Sequence, residues 1–331
     1  MNPMAHSIID AYMHVGLPRF GSAAEALQTM DRWGTAKAVL VLGPGVPDVA
    51  ALAEAQRARP DAIRTMGIPY GDTPEKRLIC AEACFAAGAI GFRLQRDETV
   101  DNPDLMRRLG ARGGWAFATD PLFSVRHTEF LLQWLDDHPK ARVGAPHFLS
   151  PDLARLEGEP ARRLLEHERF HPIFSRQGQC GSREPRPHRD LKPWVERVVA
   201  QCGWRRCLWG SEYPVLFWRG EQIDESRRWV RDLGVEISED DYVAFTCGNA
   251  QRLFFSQPAP KAAMPELPDW IKNFPTPMPV GLSPHAPVPL PMDVYAPLMA
   301  AYLQRNRPDA RLTFAEFCVE QLRQGLAQPS H

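Results

Sequence analysis

Along the first two-thirds of the chain, short apolar runs alternate with segments in which apolar residues recur at helical spacing. The short runs cover residues 8–16, 37–42, 62–68, 89–94, 115–118, 141–145, 170–174 and 206–209. Helical spacing covers 23–33, 48–58, 74–87, 103–111, 126–137, 151–167 and 191–202. Runs such as KAVLVL (37–42) are apolar on both faces, as a parallel strand needs when a core lies on one side and a helix on the other. Strand–helix repeats joined by short connections predict an α/β protein built as a closed (β/α)8 TIM barrel.

Three further helical segments, at 221–233, 238–246 and 249–255, complete a barrel domain expected to span 1–257. Over 258–297 proline recurs every few residues, a composition that excludes a helix or central strand and favours extended polyproline II. Two helices are expected after it, near 294–305 and 314–326, with Thr313 and Glu316 at capping-box spacing before the second. Residues 258–331 thus read as a proline-rich wrap plus two C-terminal helices. Their apolar faces need a cover, either the barrel flank or a second copy of the chain, and a homodimer through this extension is the preferred reading.

Composition narrows the class of partner. The net charge of −1 gives no reason to expect nucleic acid or an anionic membrane. No window approaches the ~18 apolar residues of a transmembrane helix, and the N-terminus lacks a secretory pattern. Seven cysteines, an odd number without paired CxxC spacing, suit reduced thiols in the cytoplasm. Cys80 and Cys84, one helical turn apart, read as packing residues.

In a parallel barrel the carboxyl ends of the strands reach the substrate. Alternation on the first run places Asp10, Tyr12 and His14 on one face. The fourth run ends at Arg93 and Gln95, the fifth at Asp120, the sixth at His147, the seventh at Arg176 and the eighth at Glu212. The imidazoles of His14 and His147, the carboxylates of Asp120 and Glu212, the Tyr12 phenol and the guanidiniums of Arg93 and Arg176 at one mouth suit the anchoring of an anionic small molecule and proton transfer.

Four stretches, IIDAYMHVG, AGAIGFRL, GAPHFLS and GSEYP with the closing CGNAQRLF, resemble the amidohydrolase superfamily, in its amidohydrolase-related (amidohydrolase 2) branch of hydrolases, lactonases and decarboxylases. The resemblance spans roughly residues 8–255. It implies His-x-His on the first strand, a metal histidine on the fifth, an active-site histidine on the sixth and an aspartate on the eighth, holding one zinc or manganese ion. This chain keeps His14 and His147, but Tyr12 stands at the first histidine, Ala118-Thr119-Asp120 replaces the fifth-strand histidine, and Glu212 replaces the aspartate. A catalytic zinc site wants about three good protein ligands.

The leading expectation is therefore an enzyme acting on a small carboxylated or carbonyl-containing substrate by hydrolysis, decarboxylation or related chemistry, without the usual metal. In it Glu212 is the general base, His147 an acid or oxyanion stabiliser and Tyr12 a proton donor or orienting group. His14 stands beside them, and Arg93, Arg176, Asp120 and Gln95 line the substrate side. One alternative keeps a divalent metal on His14 and Glu212, helped by Asp120 or His147 and by Tyr12, in a distorted site supporting hydrolysis or non-oxidative decarboxylation. Another is a scaffold or pseudoenzyme in which Tyr12 and His14 fill the barrel, His147 is a core histidine, and Glu212 bridges Arg93 or Arg176.

Overall fold

Eight parallel strands follow one another around a barrel in chain order. They are β1 (Ile8–Val15), β2 (Thr35–Leu42), β3 (Ile63–Gly67), β4 (Ala89–Leu94), β5 (Trp115–Ala118), β6 (Arg142–Ala145), β7 (Phe170–Phe174) and β8 (Leu208–Trp209). The computed structural model describes residues 7–96, 98–176, 182–218 and 221–274, and beyond these 294, 295, 297, 298, 301, 302, 317, 318, 320, 321 and 324. Among them no helix is long and apolar enough to cross a membrane. The expected (β/α)8 architecture is thus the observed one.

The helices start and stop where local chemistry dictates. Ser22 and Glu25 form a reciprocal capping box at the head of Ala23–Trp33, and Gly34 ends that helix at φ 64°. The stretch 151–167 is not the single helix that its spacing predicts. It breaks into a 3-10 turn (Leu153–Leu156) and a helix (Glu159–Glu166), because Gly158 is extended and Pro160 fits only a first turn. Likewise the eighth run contributes only Leu208 and Trp209 as strand, after a 3-10 turn at Trp204–Arg206. Short helices at Glu98–Asp101 and Val215–Trp218 carry too little periodicity to be read from sequence.

By contact density the chain forms two units, 1–282 and 283–331. Within the first, the proline-rich stretch does hold one short helix, Asp269–Lys272. Pro268 precedes its first turn, where a missing N–H costs nothing. In the second unit every described residue is helical, and Phe317 is buried against the Tyr302 ring at 5.7 Å. The capping pair Thr313 and Glu316 lies outside the described residues.

The barrel interior is packed by Ile9, Val39, Val41, Met66, Phe117 and Ile173. Phe254, from the closing helix Asn249–Phe254, packs 4.5 Å from Trp115 at the start of β5 and so plugs the amino-terminal end. Polar side chains are left for the carboxyl end.

Closure is made by the residues just after β8. Glu212 N–H donates to the Tyr12 carbonyl at 2.8 Å and His14 N–H to that of Tyr213 at 2.7 Å. Register along β1 slips between Asp10 and Met13, so strict alternation does not carry across it. Asp10 consequently does not join Tyr12 and His14 as the sequence suggests. Its Oδ1 accepts from the backbone N–H of Tyr12 and of Ser211, both at 3.0 Å, tying the two ends of the barrel together. Gly210 allows the approach, since a Cβ there would fall 2.6 Å from Tyr12 Cβ.

Two stability measurements test this seam. Burial pushes the Asp10 carboxyl up to about 6. The folded state therefore holds this proton more tightly than the unfolded one, and the stabilisation is complete below pH ~4 and lost as pH rises through about 6. Relative to Asp10→Asn, the wild type should lose up to about 3 kcal/mol across that interval in urea titrations. Gly210→Ala should destabilise at every pH by about 1–3 kcal/mol, through overpacking against Tyr12.

Candidate active site

The strand ends at the mouth adopt an unusual backbone. Asp120, His147, Arg176 and Glu212, after β5, β6, β7 and β8, have φ of 57°, 55°, 57° and 58°. Non-glycine residues rarely occupy this left-handed region, and such strain concentrates where side chains must be aimed rather than merely packed. The turn after β6 is held by His147 N–H donating to Ser175 Oγ at 3.0 Å and by Trp194 Nε1–H donating to the Phe148 carbonyl at 3.1 Å.

Glu212 is the electrostatic centre of the mouth. Its carboxylate is fully buried and accepts from Arg176 Nε at 2.8 Å (Oε1) and 3.0 Å (Oε2), with Arg176 Nη2 at 2.5 Å from Oε1. His147 Nε2 lies 3.1 Å from the same Oε1, near enough to feel its charge but outside hydrogen-bonding geometry. Burial pushes the Glu212 carboxyl up, yet His147 and Arg176 outweigh it and hold the group well below the usual carboxylate range. Burial also drives His147 down to about 4, so near neutral pH the imidazole is uncharged and Arg176 is the charge that keeps Glu212 ionised.

Tyr12 and His14 stand beside this pair. The Tyr12 ring is 5.0 Å from that of His14 and 5.5 Å from that of His147, both edge-on. Its hydroxyl oxygen accepts from Arg93 Nε at 2.9 Å, and none of the described residues accepts the hydroxyl hydrogen in return. Burial raises the phenol, which stays protonated and available as a donor. His14 Nδ1 lies 3.1 Å from the Val41 carbonyl, which can only accept. The proton thus sits on Nδ1 and Nε2 presents a lone pair. Burial lowers His14 to about 3.

Of the remaining residues singled out from sequence, Arg93 is 6% exposed and its Nη1 has no partner among the described residues. Gln95 is exposed just after β4, its N–H donating to Glu98 Oε2 at 2.7 Å. Asp120 is buried, with Oδ2 on Arg96 Nε at 2.9 Å and Oδ1 on Arg155 Nη1 at 2.8 Å, so it clasps two loops. The structure thus gathers Tyr12, His14, Arg93, His147, Arg176 and Glu212 through direct contacts, and engages both oxygens of Asp120 elsewhere.

Sequence spacing gave no sign of Arg19, Phe20 and Trp218. Phe20 stacks on His14 at 4.5 Å, with Trp218 on Phe20 at 5.8 Å and the Arg19 guanidinium 4.9 Å over the Phe20 ring. Arg19 senses the charges of Arg93, Arg176 and Glu212. Arg19 and Phe20 lie on the loop after β1 and Trp218 ends the short helix Val215–Trp218 after β8, where no periodicity marks them.

The donor set does not make the metal site that the resemblance implies. Among the described residues both Glu212 oxygens face the Arg176 guanidinium and the Tyr12 oxygen accepts from Arg93, while His14 Nε2 presents a lone pair and His147 Nε2 has no hydrogen-bond partner. No group of three His, Cys, Asp or Glu side chains among the described residues is arranged to hold a cation. A divalent ion would also sit against the Arg93 and Arg176 charges.

Comparison with known proteins agrees with this architecture. L-fucono-1,5-lactonase of Burkholderia ambifaria is 29% identical over 125 residues, 37% of this chain and 43% of that enzyme, so the match spans under half of the relative. A probable 2-pyrone-4,6-dicarboxylic acid hydrolase from Acinetobacter baumannii, solved with citric acid, superposes with a TM-score of 0.57 at 15% identity, covering 75% of this chain and 99% of that one. A dihydroxybenzoic acid decarboxylase from Polaromonas, solved with manganese and 2-nitroresorcinol, gives 0.52 at 14% identity, covering 75% and 97%. The amidohydrolase family model matches residues 5–255, well over half of the chain, and the protein therefore belongs to the amidohydrolase family of enzymes.

Proposed function

We propose that this chain hydrolyses a small carboxylated cyclic ester or similar carbonyl compound, with guanidinium charge doing at the mouth what a metal ion does elsewhere in the family. The observation that carries the reading is the Glu212 carboxylate, held between His147 Nε2 at 3.1 Å and Arg176 Nε at 2.8 Å beside a phenol with a free hydrogen. The lactonase match supports the ester class. Three guanidiniums, Arg19, Arg93 and Arg176, against the carboxylates of Glu212 and Glu98 favour an anionic substrate.

A substrate carboxylate takes the open Nη1 of Arg93 and competes with Glu212 for Arg176. As that guanidinium turns to the substrate, Glu212 loses its main stabilising charge and becomes a stronger base. Glu212 then takes a proton from the water that attacks the carbonyl carbon. The oxygen that becomes negative is met by the Tyr12 hydroxyl and by a neutral His147 N–H. When the ring C–O bond breaks, the proton passes from Glu212 to the departing oxygen. Free thiols at Cys80, Cys84, Cys202, Cys207, Cys247 and Cys318 suit a reducing cytoplasmic setting.

On a panel of carboxylated lactones, Glu212→Gln should lower kcat/KM by ~10²–10⁴-fold, and His147→Ala by a similar order. Activity should survive dialysis against a chelator. Its loss, with recovery on adding one equivalent of zinc or manganese, sinks the guanidinium reading in favour of a metal on His14 and Glu212. Unchanged activity in both variants points instead to a non-catalytic barrel.

The pH profile is a separate test. Because burial brings His147 down to about 4, kcat/KM should stay level from pH 8 to near pH 5 and fall as pH approaches 4. An acid limb near the ordinary imidazole value of ~6.5 contradicts the assignment.

A further inference from the structure

A cavity of about 550 Å³ in the barrel unit opens beside Arg93 rather than over Glu212. Ile68 and Tyr70 after β3 and Arg93 and Gln95 at the end of β4 line it. So do Trp270 and Asn273, which lie beyond residue 255, where the amidohydrolase family match ends. This post-barrel segment is firmly set. Ile271 is buried, Trp270 packs near-parallel to Tyr70 at 6.2 Å, and Phe274 meets Tyr70 edge-on at 6.2 Å. Phe274 also packs on the Phe20–Val46–Val215 cluster, and Phe20 stacks on His14. The segment therefore touches the apolar cluster whose Phe20 stacks on His14.

The cavity holds one strong, unanswered recognition element. Arg93 Nη1 is buried and unpartnered among the described residues, while Nε of the same guanidinium is already committed to Tyr12. A buried guanidinium N–H without an acceptor is costly, and a carboxylate placed there would remove the cost. The half-buried Tyr70 and Trp270 rings line the same cavity, with the Lys76 ammonium 5.7 Å over Trp270. A guanidinium that can take a carboxylate and flat rings lining one cavity select a planar ring acid.

We infer that the cavity is a substrate subsite for planar, ring-bearing carboxylates, with Arg93 as its anion anchor and Trp270, from outside the family-matched barrel, as its specificity-determining residue. This rests on the reading above that Arg93 grips a substrate carboxylate, but it concerns binding and not turnover.

The test is equilibrium binding of two probes, 2-naphthoate and acetate, to the full chain by calorimetry. The wild type should bind 2-naphthoate at least tenfold more tightly than acetate. Trp270→Ala should lose that preference and leave acetate unchanged, Trp270→Phe should retain most of it, and Arg93→Met should lose both probes. Thermal unfolding of each variant controls for folding. Glu212→Gln should bind 2-naphthoate at least as well as the wild type, so a failed catalytic reading leaves this result standing. Equal affinity of wild type and Trp270→Ala for 2-naphthoate, full binding by Arg93→Met, or no binding of 2-naphthoate to the wild type overturns the inference.

Discussion

The seam between β1 and the residues after β8 is the constraint on which the mouth depends. β8 is only two residues long, so the barrel cannot close by an extended strand ladder at this point. It closes instead through Tyr12, His14, Glu212 and Tyr213 backbone groups and the Asp10 carboxylate, with a glycine at 210 because no side chain fits there. The hydrogen bonds that close the fold thus come from the same residues whose side chains form the candidate site. Tyr12 and Glu212 are held face to face by the Glu212 N–H on the Tyr12 carbonyl, so their relative placement is fixed by barrel closure and not by side-chain choice.

Charge at the mouth follows from that placement. A fully buried carboxylate needs a counter-charge, and here Arg176 supplies it with two nitrogens. A second guanidinium, Arg93, is pinned on Tyr12, and its Nη1 has no partner among the described residues. Neutral imidazoles at His14 and His147 complete a site that is positive towards its contents yet holds a ready carboxylate. Such an arrangement spreads positive charge over planar groups at fixed positions.

The segment after the barrel changes how the chain divides by role. Residues 268–274 carry a buried isoleucine, two aromatic rings against Tyr70 and a contact to the cluster under His14. They form part of the wall of the mouth, which proline content alone gives no means of foreseeing.

The amino-acid sequence by itself determined the barrel. Eight apolar runs separated by helical spacing admit few other architectures, and the strand ends pointed to Tyr12, His14, Arg93, His147, Arg176 and Glu212 because side chains there face the mouth. That Tyr12, Asp120 and Glu212 stand where the resemblance implies two histidines and an aspartate was equally legible, since residue type needs no coordinates. What only the tertiary structure decided is how these groups pair: Arg176 rather than Arg93 on Glu212, Arg93 on Tyr12, Asp120 taken by Arg96 and Arg155, and Asp10 turned to the seam by a register slip. Strand periodicity assigns a face, but pairing among charged groups depends on distances between strands far apart in the chain. Those distances are set by closure, and no local pattern encodes them.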